Sequence, residues 1–186
     1  MRHDKLIQNI KDQIKEAQIK LGFAKETVRL YYPVATLNAM LGIQAKDAKE
    51  MLEMLGDERF QQSELGGLKV SSHKQRIEVS VSPEGVEYVY QYVEEPKFLT
   101  AMIELFRQNH HCNLKDVEEL FKKFSENYMC QRMPEGSDFD VVFYFEDSTV
   151  DAYYYCIKEE MGHTIYHRFT REDMVELLRD ESSLGD

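Results

Sequence analysis

The sequence predicts an α+β fold in two lobes, and three observations predict it. Over residues 76–93, "RIEVSVSPEGVEYVYQYV", strict strand alternation gives way to helical spacing at Ser82-Pro83-Glu84-Gly85. Between residues 139 and 169, three alternating segments run in succession, followed by a capped helix, which reads as an antiparallel three-stranded meander. Charge also shifts at Glu94-Glu95-Pro96: residues 1–95 hold 13 basic and 15 acidic side chains, net −2, and residues 96–186 hold 10 and 19, net −9. A helical lobe with a hairpin is expected over 1–95 and an α-α-β-β-β-α lobe over 96–186.

Residues 4–21 place Leu6, Ile10, Ile14, Ala17 and Leu21 on one helical face, stopped at Gly22. "TVRLYYP" is a short extended piece, because Tyr32 before Pro33 is biased away from helix. Pro33 opens a short helix that ends at Gly42. A second helix, about Ala45 to Leu55, buries Ala48, Met51, Leu52 and Leu55 after a turn of helix-turn-helix length. "GGLKVSSHKQRIEVSVS" is a hairpin with its loop near His73 to Gln75. Ser82 then caps a helix that has Pro83 at its first position and an inner face of Val86, Val89, Tyr90 and Val93.

In the second half, Pro96 to about Asn109 is a helix with Leu99, Met102, Ile103 and Phe106 inward. Asn113 and Asp116 make a capping-box variant for the next, whose stripe is Val117, Leu120, Phe121, Phe124 and Tyr128. Strands are expected at 139–145, 150–157 and 164–169. Thr170 to Asp173 then opens a last helix burying Met174, Leu177 and Leu178, with a frayed tail at "ESSLGD".

The first-half order of helix, two short helices, hairpin and capped helix resembles winged-helix bacterial regulators. The likeness rests on "TLNAMLGIQAKDAKEMLEML" and on "IEVSVSPEGVEYV", where Ser82 and Gly85 match the family's Thr-x-x-Gly before its last helix. It spans about residues 33–93 and implies a winged-helix-like N-terminal lobe. The whole chain is also similar to a small bacterial family known as a domain of unknown function, through "IKLGFAKETVRLYYPVATLNAMLG" and "SPEGVEYV". That second resemblance implies no activity.

In a winged helix, the second helix of the helix-turn-helix reads the major groove. Here its exposed positions are Lys46, Asp47, Lys49, Glu50 and Glu53, a poor phosphate seeker. Lys69, His73, Lys74 and Arg76 form a cationic wing suited to phosphate contacts. A net charge of −11 opposes nonspecific binding to nucleic acid or anionic membrane, so DNA is possible but disfavoured. The expected partner is another protein, or a second copy in a homodimer.

No stretch approaches the roughly 20 apolar residues of a membrane span, and "MRHDKLIQNIKDQIKE" lacks the apolar core of a signal peptide. Cys112, Cys130 and Cys156, odd in number and widely spaced, read as reduced thiols of a cytoplasmic protein. No nucleophile elbow, phosphate loop or His-Glu-x-x-His motif is present, so no enzyme and no cofactor are expected. His110-His111-Cys112 is read as a helix end, since adjacent residues do not converge on a metal. His163 and His167 share a strand face with Ile165 and, with Asp151, Tyr153 or Tyr155 from a neighbouring strand, are the nearest approach to a metal site. Tyr153 and Tyr155 are also candidates for an aromatic ligand platform on the sheet.

Overall fold

The structure, a computed structural model, describes residues 3–56, 63–109 and 111–183. The chain divides into two compact units, Met1–Glu95 and Pro96–Asp186. Among the described residues there are seven helices and two antiparallel sheets, an α+β fold.

The first unit runs α1 (His3–Leu21), β1 (Val28–Pro33), α2 (Val34–Leu41), α3 (Ala48–Leu55), β2 (Lys69–His73), β3 (Arg76–Val81) and α4 (Pro83–Tyr92). Leu6, Ile10 and Ile14 of α1, one turn apart, are wholly buried, and Gly22 ends the helix at φ +75°. The expected stripe fails in its last turns, where Leu21 is 77% exposed and Lys15 and Gln18 are buried instead. The reason is the backbone of α4. Gln18 donates to the Val86 carbonyl at 2.9 Å and Lys15 to the Tyr90 carbonyl at 3.2 Å, in the last turn of α4 where helical partners run out. Burial, opposed by Glu95, holds the Lys15 amine below its ordinary range.

Asn38 locks the turn between α2 and α3. Its amide donates to the Ala45 carbonyl and accepts from the Ala45 N–H, each at 2.8 Å, while Gly42 takes φ +68°. That clasp holds Ala45 outside the helix, so α3 starts at Ala48 with Asp47 as its cap rather than at Ala45.

The "TVRLYYP" piece becomes a sheet strand, giving the strand order β1-β3-β2. Ile77, Val79 and Val81 fill the inner face, and Ser82 caps α4 by accepting from the Gly85 N–H at 3.3 Å. Tyr90, expected inward, is 54% exposed.

The second unit runs α5 (Lys97–Gln108), α6 (Leu114–Phe124), β4 (Tyr128–Arg132), β5 (Val141–Phe145), β6 (Tyr154–Glu160), β7 (His163–Phe169) and α7 (Arg171–Ser183). The meander is present and gains a fourth strand, in the order β4-β5-β6-β7. Tyr128, expected on the helix stripe, instead opens β4 opposite Phe145, because Ser125 turns extended and ends α6. Asn113 and Asp116 form the full capping box of α6. Thr170 and Asp173 form that of α7, with the Asp173 N–H donating to the Thr170 hydroxyl at 3.1 Å and the Thr170 N–H donating to the Asp173 carboxylate at the same distance.

One sheet face packs on α5 and α6 around Phe98. Its ring meets Phe121 at 4.6 Å, Phe145 at 4.8 Å and Tyr155 at 5.2 Å, all edge-on. On the other face Val142 and Cys156 pack against Met174 of α7. The turn at Met161-Gly162 has positive φ at both positions, +51° and +80°, as a two-residue hairpin of this twist requires. The last three residues of the expected frayed tail, 184–186, lie outside the described residues, and 181–183 close α7.

Candidate functional site

The cationic residues of the β2–β3 hairpin lie on the solvent face of the first unit's sheet and at its tip. Cross-strand register sets Arg29, Ser80 and Lys69 in one row, Tyr31, Glu78 and Ser71 in the next, and Arg76 beside His73 in the third. Lys69, His73, Lys74 and Arg76 are all exposed, with Lys74 at the hairpin tip at φ +56°. Arg29 joins them, a contributor that sequence reasoning missed because β1 had no assigned partner. Glu78 is the carboxylate of this face. It lies 3.7 Å from Arg29, and the hydrogen bond from Tyr31 to it pushes that phenol's pKa up.

On α3 two of the three carboxylates have structural work. The Asp47 carboxylate accepts from the Glu50 N–H at 2.9 Å, and the Glu50 carboxylate accepts from the Lys46 N–H at 2.8 Å. Lys46, Lys49 and Glu53 remain exposed. The acidity of this helix is therefore partly a capping device.

α4 carries three tyrosines, Tyr88 and Tyr92 one turn apart on one side and Tyr90 on another. Tyr90 and Tyr92 are 54% and 69% exposed, and the Tyr92 ring lies 5.1 Å from that of half-buried Tyr88. Lys11 and Lys15 of α1 stand over Tyr88 and Tyr90, at 5.8 and 5.7 Å from the ring centroids.

In the second unit, His163, Ile165 and His167 share an exposed face of β7. The register does not bring them to Tyr155 or Asp151. Tyr155 stands opposite Arg168, so its side chain is on the other face from His167, which stands opposite Cys156. Tyr155 is wholly buried, and its hydroxyl donates to the Asp151 carboxylate at 3.0 Å. Burial and the nearby Asp151 raise that phenol's pKa well above its ordinary value.

Tyr153 precedes β6 and stacks on Arg168, whose guanidinium carbon is 4.0 Å from the ring centroid. An open platform of Tyr153 and Tyr155 is thus absent: one is core and the other is covered by a guanidinium. Asp151 also accepts from the Tyr153 N–H at 2.9 Å, which delays β6 to Tyr154. Among the described residues no group of three His, Cys, Asp or Glu side chains is placed to hold a metal ion. His110 of the His110-His111-Cys112 tract lies outside the described residues. Cys112 is buried, and burial, reinforced by Asp116 and Glu159, lifts its thiol to about 11.

A cavity of about 270 Å³ opens on the α7 side of this sheet. β4 contributes Gln131 and Arg132, the residue after it Met133, and the strands behind it Val142, Tyr144 and Tyr154. α7 closes it with Arg171, Met174, Val175 and Leu178. The Tyr144 and Tyr154 rings lie 4.6 Å apart, and Gln131 donates to the Tyr144 hydroxyl at 3.1 Å. Burial, then Tyr154 and Glu146, push the Tyr144 phenol up. Leu178, expected in the core, is 43% exposed at this opening. No sequence signal marks the cavity: helical spacing carries Tyr128 into the preceding stripe, and residues 129–133 follow no periodic pattern.

By class, then, this is an α+β protein of two units, each with its own antiparallel sheet. Residues 3–178 match the family described as "Domain of unknown function, E. rectale Gene description (DUF3877)", and the chain belongs to it. No curated protein and no solved structure matches the chain. No helix among the described residues is long and apolar enough to cross a membrane.

Proposed function

We propose that this is a non-enzymatic cytoplasmic interaction or regulatory protein whose first unit is a winged-helix-like module docking another protein. The observation that carries the reading is the exposure of Tyr90 and Tyr92, two amphipathic rings left largely in solvent at the end of α4. Tyrosine supplies large contact area at low entropic cost and is enriched at interface cores. The order α1-β1-α2-α3-β2-β3-α4, with strand order β1-β3-β2, supports the winged-helix likeness. The net charge of −11 favours a protein partner over a polyanion. A photo-crosslinking side chain at position 92 is expected to give a discrete protein adduct in cells, either heterologous or with a second copy. The adduct should be lost with Tyr90→Ser and absent when the probe sits at position 53. Equal labelling from both positions defeats the reading.

A second reading, a DNA-binding regulator, draws on the clustering of Arg29, Lys69 and Arg76 on one sheet face with Lys74 at the tip. It requires binding to arbitrary duplex at low salt that weakens steeply as salt rises. Lys74→Glu and Arg76→Glu should each reduce the salt slope by about one. Duplex left unbound at low ionic strength rejects it.

A further inference from the structure

We infer that the cavity between α7 and the four-stranded sheet is a binding site for a small amphipathic carboxylate. The inference stands apart from the docking role proposed for the first unit, and either can fail while the other holds. The cavity's walls are apolar and aromatic, with the paired Tyr144 and Tyr154 rings on the sheet side and Met174, Val175 and Leu178 on the helix side. Its charged lining residues are both cationic, Arg132 at the end of β4 and Arg171 at the start of α7, with no carboxylate among the described lining residues. Arg132 stands opposite Val141, one residue off the row of Val142 and Cys156 that faces α7, so strand alternation turns its side chain to the other face and leaves Arg171 as the guanidinium on this side. This is notable in a unit whose sequence carries 10 basic and 19 acidic residues. A site with an apolar body and one guanidinium at the opening matches a ligand with a ring or short chain and one carboxylate, which a planar guanidinium holds through two parallel hydrogen bonds. The volume of about 270 Å³ restricts that ligand to a small one.

Met133 and Met174 supply methyl reporters within the cavity. The full chain, labelled at its methionine methyls, is titrated by NMR with a panel of aryl and medium-chain carboxylates and with the corresponding amides. At least one carboxylate should shift the Met133 and Met174 signals saturably while leaving Met40 and Met51 of the first unit unmoved. Its amide should bind at least about tenfold more weakly, the loss expected for a charge-assisted bond. Arg171→Gln, at an exposed position, should weaken the carboxylate by a similar factor, with Arg171→Lys intermediate, whereas Arg132→Gln on the other face should leave it unchanged. The assignment is overturned if no carboxylate shifts these methyls up to millimolar concentration, if the amides bind as well, or if Arg171→Gln fails to weaken binding in a variant whose remaining spectrum is unchanged.

Discussion

At Gly85 a methyl group would stand 2.2 Å from the Leu65 carbonyl oxygen and 2.9 Å from Val81 Cγ1. The first contact is with backbone, which cannot rotate away as a side-chain end does. Gly85→Ala should therefore cost about 3 kcal/mol, the upper part of the range for overpacking, read as a lowered urea midpoint at unchanged slope. The glycine was visible in "SPEG", but its reason was not, since Leu65 lies in a loop outside every periodic segment. Cys112 gives a second test at this scale. An unfolded cysteine loses its proton near 9.0, whereas burial holds the folded thiol to about 11. Between those values the unfolded state binds fewer protons, so stability should fall as pH rises through that window. Unfolding titrations across it should show the decline, and Cys112→Ser should flatten it.

Among the elements, β4 shows how local pattern misleads. Val117, Leu120, Phe121, Phe124 and Tyr128 keep helical spacing, yet the helix ends at Phe124 and Tyr128 pairs with Phe145. The spacing was real, and the strand's partner, far along the chain, decided between the two conformations. Caps were more legible: Ser82, Asn113 and Thr170 each do what their local sequence implies, because a cap satisfies backbone groups within three residues of itself. Asn113→Ala should cost about 1 kcal/mol by removing that acceptor from the start of α6. Phe98, absent from the expected inner face of α5, is in contact with rings from α6, β5 and β6. Phe98→Ala should cost about 3–5 kcal/mol in the same unfolding assay, several times the cap substitution.

Over the whole molecule, the first unit's core, from Leu6 to Val89, is formed within residues 1–95. The aromatic cluster about Phe98 is formed within 96–186. Fragments 1–95 and 96–186 should each fold alone, with native-like circular dichroism and a cooperative melt; loss of structure in either would show that its core depends on the other half. Charge is a property at this scale too. The −2 and −9 halves were countable from the sequence, but the gathering of Arg29, Lys69 and Arg76 on one face of the first unit's sheet was not.

The sequence by itself determined most of the helices, the caps, the first-unit hairpin, the later meander and the α+β class, because periodicity and capping are properties of a few neighbouring residues. Only the tertiary structure decided that Lys15 and Gln18 are buried, that Tyr90 faces out, that Tyr155 is core on the face opposite His167, and that a cavity lies beneath α7. Each of these depends on which distant segment lies alongside. Strand register and helix packing fix that choice, and a residue's own neighbours in the chain do not carry it.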